Sequence, residues 1–175
     1  MTRYVAFLRA INVVGRIVKM DHLRGLFEAL GFENVSTFIA SGNVIFETRE
    51  KDGAKLEKRI AAHLEADLGY RVDTFVRTIQ ETAEIAKRCP FVPKKKEDSA
   101  YVAFLHEPLN AAGKAALVAA KNKMNDFAAI GSEVYWLRLN RDDSIFLKGS
   151  IEKVINRPVT VRNMTSIHKL VIKYS

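Results

Sequence analysis

Three polar clusters in the 175-residue chain carry side chains able to hold an anion. The first is Arg9-Ala10-Ile11-Asn12-Val13-Val14-Gly15-Arg16-Ile17-Val18-Lys19, a loop between an apolar strand and a helix start. Arg9, Arg16 and Lys19 beside free backbone donors suit a phosphate or carboxylate. The second is Ser41-Gly42-Asn43, whose hydroxyl and amide can orient a ligand and whose Gly and Asn also supply what a tight turn requires. The third is Arg162-Asn163, closing the last strand of the chain. There Asn163 or Thr165 also suits a cap for the helix that follows. Asn12, Ser41 and Asn43 would act as neutral hydrogen-bonding groups.

Other reactive types do not assemble. His22, His63, His106 and His168 are scattered without metal-ligand spacing, so neither metal nor cofactor is expected. Cys89, the single cysteine, precedes Pro90 and reads as a small packed hydrophobe. One cysteine excludes an internal disulfide and fits a reducing cytoplasm. There is no G-x-G-x-x-G, no G-x-x-x-x-G-K-[ST], no G-x-S-x-G and no Ser, His and acid triad.

The elements that must position these residues come in two copies. Tyr4-Val5-Ala6-Phe7-Leu8 recurs letter for letter as Tyr101-Val102-Ala103-Phe104-Leu105, an offset of 97. Phe38–Phe46 lines up with Phe127–Tyr135 at an offset of 89, with Phe38/Phe127, Ala40/Ala129 and Gly42/Gly131 identical and Phe46/Tyr135 both aromatic. Two matches in the same order indicate a duplication.

In the first copy, residues 4–11 read as a buried strand. Met20, Leu23, Leu26, Phe27 and Leu30 form one helix face, closed by Gly31. Residues 36–40 and 43–48 form a hairpin, 54–68 a second helix closed by Gly69, and 71–77 a last strand. In the second copy, strand 100–105 precedes a helix capped by Asn110. Strands 126–130 and 133–139 follow, then a helix lined by Leu147, Ile151, Val154 and Ile155, and a short strand at 159–162. Thr78 and Glu81 have capping-box spacing for a linking helix that Pro90 ends. A final helix spans about 165–174.

The predicted fold is α+β: a tandem duplication of ferredoxin-like β-α-β-β-α-β units with an inter-repeat helix and a C-terminal helix. The expected division is 1–95 and 96–175, packed as one structural unit. We expect the hairpin turn at the sheet end opposite the exit of the first strand. That would separate Arg9 and Asn12 from Ser41 and Asn43, and would place Arg162-Asn163 at the hairpin end of the second sheet.

Hydrophobic residues make up 48% of the chain and charged residues 27%, which excludes a disordered chain and long membrane-spanning runs. The apolar stretch between Arg3 and Arg9 is too short for a signal peptide, so a cytoplasmic location without membrane partners is expected. The net charge is +8. Residues 144–175 hold Lys148, Lys153, Arg157, Arg162, Lys169 and Lys173 against Glu152 alone, a net of +5. Such a field attracts anionic partners, and it also serves a solvated basic helix face.

The β-α-β-β-α-β order is shared with RNA recognition motifs, but their third strand needs a basic residue, a glycine and two stacking aromatics. Asn43–Thr48 offers one aromatic and an acid, and Tyr135-Trp136 point to opposite faces. Both sheets are apolar on two faces, so the face away from the helices must be covered by the sister repeat, a second subunit or a ligand.

Tyr4–Asn12, Lys19-Met20, Leu30-Gly31, Ile39–Asn43, Ile151-Glu152-Lys153 and Thr160–Asn163 together resemble the bacterial family catalogued as domain of unknown function 1697. The resemblance implies a cytoplasmic protein of two ferredoxin-like repeats, with no activity attached. This chain departs from the family pattern in having Val14-Gly15 where two glycines follow, which weakens a glycine-cradled anion site. It also has Met164 in place of a tryptophan, which removes a stacking ring.

Three readings follow. The first is non-catalytic binding of nucleic acid or a phosphorylated small molecule through Arg9, Arg16 and Lys19, and through Arg162 with the tail lysines. The second is an enzyme with a substrate site in the cleft between the repeats, using Arg9, Asn12, Ser41, Asn43, Arg162 and Asn163. The third is a homodimer through an apolar sheet face.

Overall fold

The computed structural model describes residues 1–12, 15–39, 42–140 and 150–175. Ser41 at the hairpin tip, Leu147 on the expected helix and Lys148 in the basic segment lie outside the described residues. Two compact units emerge. One is Met1–Thr82 with Tyr174–Ser175, and the other is Ala83–Lys173. The division falls inside the helix that follows the first repeat, whereas the sequence suggests a boundary near 95.

The first unit runs β1 (Thr2–Leu8), α1 (Met20–Ala29), β2 (Glu33–Thr37), β3 (Asn43–Thr48), α2 (Gly53–Leu68) and β4 (Thr74–Thr78), followed by α3 (Ile79–Arg88). The second runs β5 (Ser99–Phe104), α4 (Ala111–Ala120), β6 (Asn125–Ile130), β7 (Glu133–Arg138), α5 (Ser150–Ile155) and β8 (Thr160–Asn163), followed by α6 (Met164–Tyr174). Each sheet is antiparallel, with orders β2-β3-β1-β4 and β6-β7-β5-β8. These are the element and strand orders of a duplicated ferredoxin-like unit.

Local chemistry explains the boundaries. The Asp52 side chain accepts from Lys55 N at 3.1 Å to start α2, and Gly69 ends it at φ +78° with its N–H on Glu65 O. Asn110 caps α4 by accepting from Gly113 N at 2.8 Å. The box expected before α3 is present: Thr78 Oγ1 accepts from Glu81 N at 3.0 Å, and Glu81 Oε2 accepts from Thr78 N at 2.7 Å. β1 stops at Leu8, three residues before the predicted end, because Ala10 takes φ +52° and cannot extend a strand.

Alternation along the strands divides the core. Tyr4, Ala6, Leu8, Val44 and Phe46 pack with Leu23 and Phe27 of α1 and with Leu56, Ile60 and Leu64 of α2. Phe32 stacks on Phe46 with ring centroids 4.5 Å apart. In the second unit Tyr101, Ala103, Leu105, Val134 and Trp136 pack with Leu117, Ile151 and Ile155. Val5, Phe7, Ile45 and Phe75, on the other face of the first sheet, are equally buried within the single chain, as are Val102, Phe104 and Tyr135.

Strand register corrects one sequence-based alignment and adds another. Tyr4 opposes Phe46 and Tyr101 opposes Trp136, so Trp136 rather than Tyr135 is the counterpart of Phe46, at an offset one residue larger than letter matching gives. Val5 opposes Arg77 and Val102 opposes Arg162, so these two arginines are counterparts as well. Thr78 and Asn163 then correspond, and each starts the helix after its strand. The inter-repeat helix α3 and the C-terminal helix α6 are therefore the same element of the two copies, and the repeat is β-α-β-β-α-β-α.

In the buried interior of the second unit Trp136 Nε1 donates to Asn125 Oδ1 at 2.8 Å. Asn125→Ala should destabilise the protein by about 2 kcal/mol by leaving a buried donor short of its acceptor. Asn110→Ala should cost about 1 kcal/mol as a lost cap. Urea unfolding followed by the fluorescence of Trp136 checks both, and equal effects would contradict the ranking.

Candidate functional site

The exit of β1 and the hairpin turn share one end of the first sheet. Antiparallel pairing sets Phe7 opposite Asn43, and Leu8 N–H donates to Gly42 O at 2.8 Å. The expectation that the turn lies at the opposite end is thus wrong: β1 ends where an antiparallel β3 begins. The second unit repeats this, with Leu105 N–H on Ser132 O at 2.9 Å. Arg162-Asn163 are misplaced by the same error. Asn163 opposes Tyr101, near the start of β5, whereas Thr160 opposes Phe104 at the hairpin end.

The loop after β1 is held by its own polar groups. Asn12 Oδ1 accepts from Val18 N at 2.8 Å, and Tyr70 Oη donates to Ile11 O at 3.2 Å. Arg9 N–H donates to Asp73 O at 2.9 Å, and its guanidinium reaches Asp73 Oδ2 at 3.1 Å. Arg71 Nε meets Asp73 Oδ1 at 2.9 Å. The Arg16 guanidinium lies over the Tyr70 ring, 4.6 Å from its centroid. Lys19 is exposed at the N-cap of α1 and gives no side-chain cap bond. Asp73 joins Arg9 to Arg71, and Tyr70, next to Arg71 in the chain, carries Arg16, so three arginines and one carboxylate gather at this end of the sheet.

The neutral candidates act on backbone. Asn43 Nδ2 donates to Phe38 O at 2.9 Å, and Phe38 N–H donates to Asn43 O at 3.0 Å, which closes the turn. Gly42 has φ +79°, and a Cβ there would lie 2.7 Å from Ile11 Cγ2 and 3.2 Å from Leu8 Cβ. Its lack of a side chain lets the turn lie against the β1 loop. Ile39, in the same turn, holds φ +53° although it is β-branched, and its side chain is half exposed.

Arg162 is placed differently. It is 8% exposed, and its Nη1 donates to Thr160 Oγ1 at 2.7 Å and to Val161 O at 3.0 Å. Burial lowers its pKa to about 10, so it remains charged at neutral pH. Its counterpart Arg77 makes the same bond to Val76 O at 2.9 Å and pairs with Glu57 at 3.6 Å. Of the basic segment, Lys153, Lys169 and Lys173 are exposed. Asn163 Oδ1 accepts from Thr165 N at 2.8 Å, the capping role that the sequence allowed.

Sequence reasoning passed over Tyr70, Arg71 and Asp73. The available signal was topological: β4 runs antiparallel to β1, so the residues just before Thr74 must lie at the exit of β1. No group of three or more His, Cys, Asp or Glu suited to a metal exists among the described residues. No helix among them is long and apolar enough to cross a membrane.

Gly42 separates close approach from conformational freedom. Gly42→Ala should destabilise by about 2 kcal/mol or more through φ strain and overpacking. Gly15→Ala, at φ +80° with nothing within 4 Å of its Cβ, should cost about 1 kcal/mol. Thermal unfolding by circular dichroism measures the difference, and equal losses would remove the contact with Ile11 from the explanation.

No curated protein matches the chain. The fold is similar to that of the conserved bacterial protein SP0830 from Streptococcus pneumoniae, with a TM-score of 0.75 and 20% identity over 98% of this chain and 97% of that one. Residues 1–135 match the family described as protein of unknown function (DUF1697). With most of its length covered by that match, the chain belongs to the DUF1697 family.

Proposed function

We propose that the protein binds a phosphate-bearing anion, a nucleic acid or a phosphorylated small molecule, at the β1 exit of its first unit and performs no chemistry on it. The observation that carries this reading is the cationic end built from Arg9, Arg16 and Arg71, with Lys19 at the adjoining helix start. Side-chain bonds to backbone hold the loop that carries it, so a ligand meets groups already in place, which lowers the ordering cost of binding. Guanidinium groups match phosphate oxygens in pairs. Ile17, 86% exposed, and Ile39 add apolar surface in the same loop and turn.

Fluorescence anisotropy with a labelled single-stranded oligonucleotide, competed with inorganic phosphate and nucleoside monophosphates, tests the proposal. Arg16→Ala and Arg71→Ala should each weaken binding by about threefold to tenfold, while Lys153→Ala and Lys169→Ala leave it unchanged. Engagement of three phosphates would give a log–log salt slope of about −2 for a single strand. Displacement of the oligonucleotide by nucleoside monophosphates at concentrations as low as those of unlabelled oligonucleotide assigns the site to small molecules. Salt-insensitive binding, or binding indifferent to Arg16 and Arg71, overturns the proposal.

A further inference from the structure

A separate candidate site lies in the second unit, at the opposite end of its sheet from the hairpin turn. A cavity of about 370 Å3 is enclosed by the segment after α3, the start of β5 and the start of α6. That volume falls within the range of small-molecule pockets, about 300–1,000 Å3. The geometry points to a binding site for a small neutral heteroaromatic molecule, recognised by the Ser99 hydroxyl and the Asn163 amide against an apolar wall of Phe91 and Met164.

Ser99 is the observation that asks for a ligand. It is 5% exposed, it lines the cavity, and its hydroxyl has no hydrogen-bond partner among the described residues. The small part of Ser99 that stays exposed opens into the cavity, where its hydroxyl is available to a ligand. Asn163 contributes a second open group. Its Oδ1 is engaged by Thr165 N, while its Nδ2 has no partner among the described residues. A hydroxyl and an amide NH2 facing one cavity match the alternating donors and acceptors on the edge of a nitrogen heterocycle.

The wall decides the rest of the ligand. Phe91, Val92, Pro93 and Met164 present apolar and polarisable surface, which favours a flat ring. Asp98 lies in the wall, its carboxylate accepting from Lys95 N at 3.1 Å and Asn140 N at 3.3 Å. Among the described residues no lysine or arginine lines the cavity. A phosphate is therefore disfavoured here, and this site does not depend on the anion site of the first unit.

Cys89 lines the same cavity, and as the only cysteine it reports occupancy without added labels. The full-length protein is titrated with adenine, nicotinamide and indole at millimolar concentration. Amide shifts are followed by nuclear magnetic resonance, and Cys89 alkylation by iodoacetamide is followed by intact mass. At least one of these rings should shift the amides of Ser99, Asn163 and His168 and slow alkylation by about threefold. Ser99→Ala should weaken that ring by about fivefold while leaving the unfolding midpoint unchanged or raised, since no protein partner is lost. Three results overturn the proposal: no ring shifting these amides, binding indifferent to Ser99→Ala, or inorganic phosphate protecting Cys89 as well as the rings do.

Discussion

Antiparallel pairing of the first strand of each repeat with its third strand is the constraint from which the placement of every candidate residue follows. It brings the exit of β1, the hairpin turn and the residues before β4 to one end of the first sheet, where Leu8 N–H meets Gly42 O. It sends the end of the fourth strand, and the helix after it, to the other end. The cationic cluster of Arg9, Arg16 and Arg71 occupies the first kind of end in the first unit. The cavity beside Ser99 and Asn163 occupies the second kind of end in the second unit. One topological rule, applied twice, yields two chemically different sheet ends.

The duplicated copies agree in their cores and differ in their charges. Arg77 and Arg162 hold the same register and the same bond to the preceding carbonyl. The helices that follow do not keep such likeness. By the offset between Arg77 and Arg162, Glu81 and Glu84 at the start of α3 become Ser166 and Lys169 in α6. Glu81 closes its own helix start by bonding Thr78 N, an option that serine at the same position lacks. Apolar positions are held by packing in both copies, whereas exposed positions carry little structural penalty and were free to diverge.

Much of the architecture was legible in the residues. The run Tyr4–Leu8 and its repeat announce two central strands, and Asp52, Thr78 and Asn110 announce helix starts through chemistry that is local by nature. Gly31, Gly42 and Gly69 mark chain reversals that the backbone confirms with positive φ. Register was less legible, because a letter match cannot tell which residues face each other across strands, and Trp136 rather than Tyr135 answers Phe46. The candidate site was half legible. The cations of the β1 loop stood out, but Tyr70, Arg71 and Asp73 become their neighbours only through a strand pairing some 65 residues away. Arg162 looked like a surface charge because nothing in a basic segment distinguishes a cation that folding removes from water.

Ile39 has a consequence for how this protein would change under selection. A branched, half-exposed side chain at φ +53° keeps the turn about 1 kcal/mol less stable than asparagine or glycine would leave it. Selection for thermal resistance alone would therefore replace Ile39 early. Selection that also demands whatever the cationic end holds would retain it if its side chain touches the ligand. The fate of this one residue in two parallel directed-evolution lines would separate a tolerated imperfection from a working part.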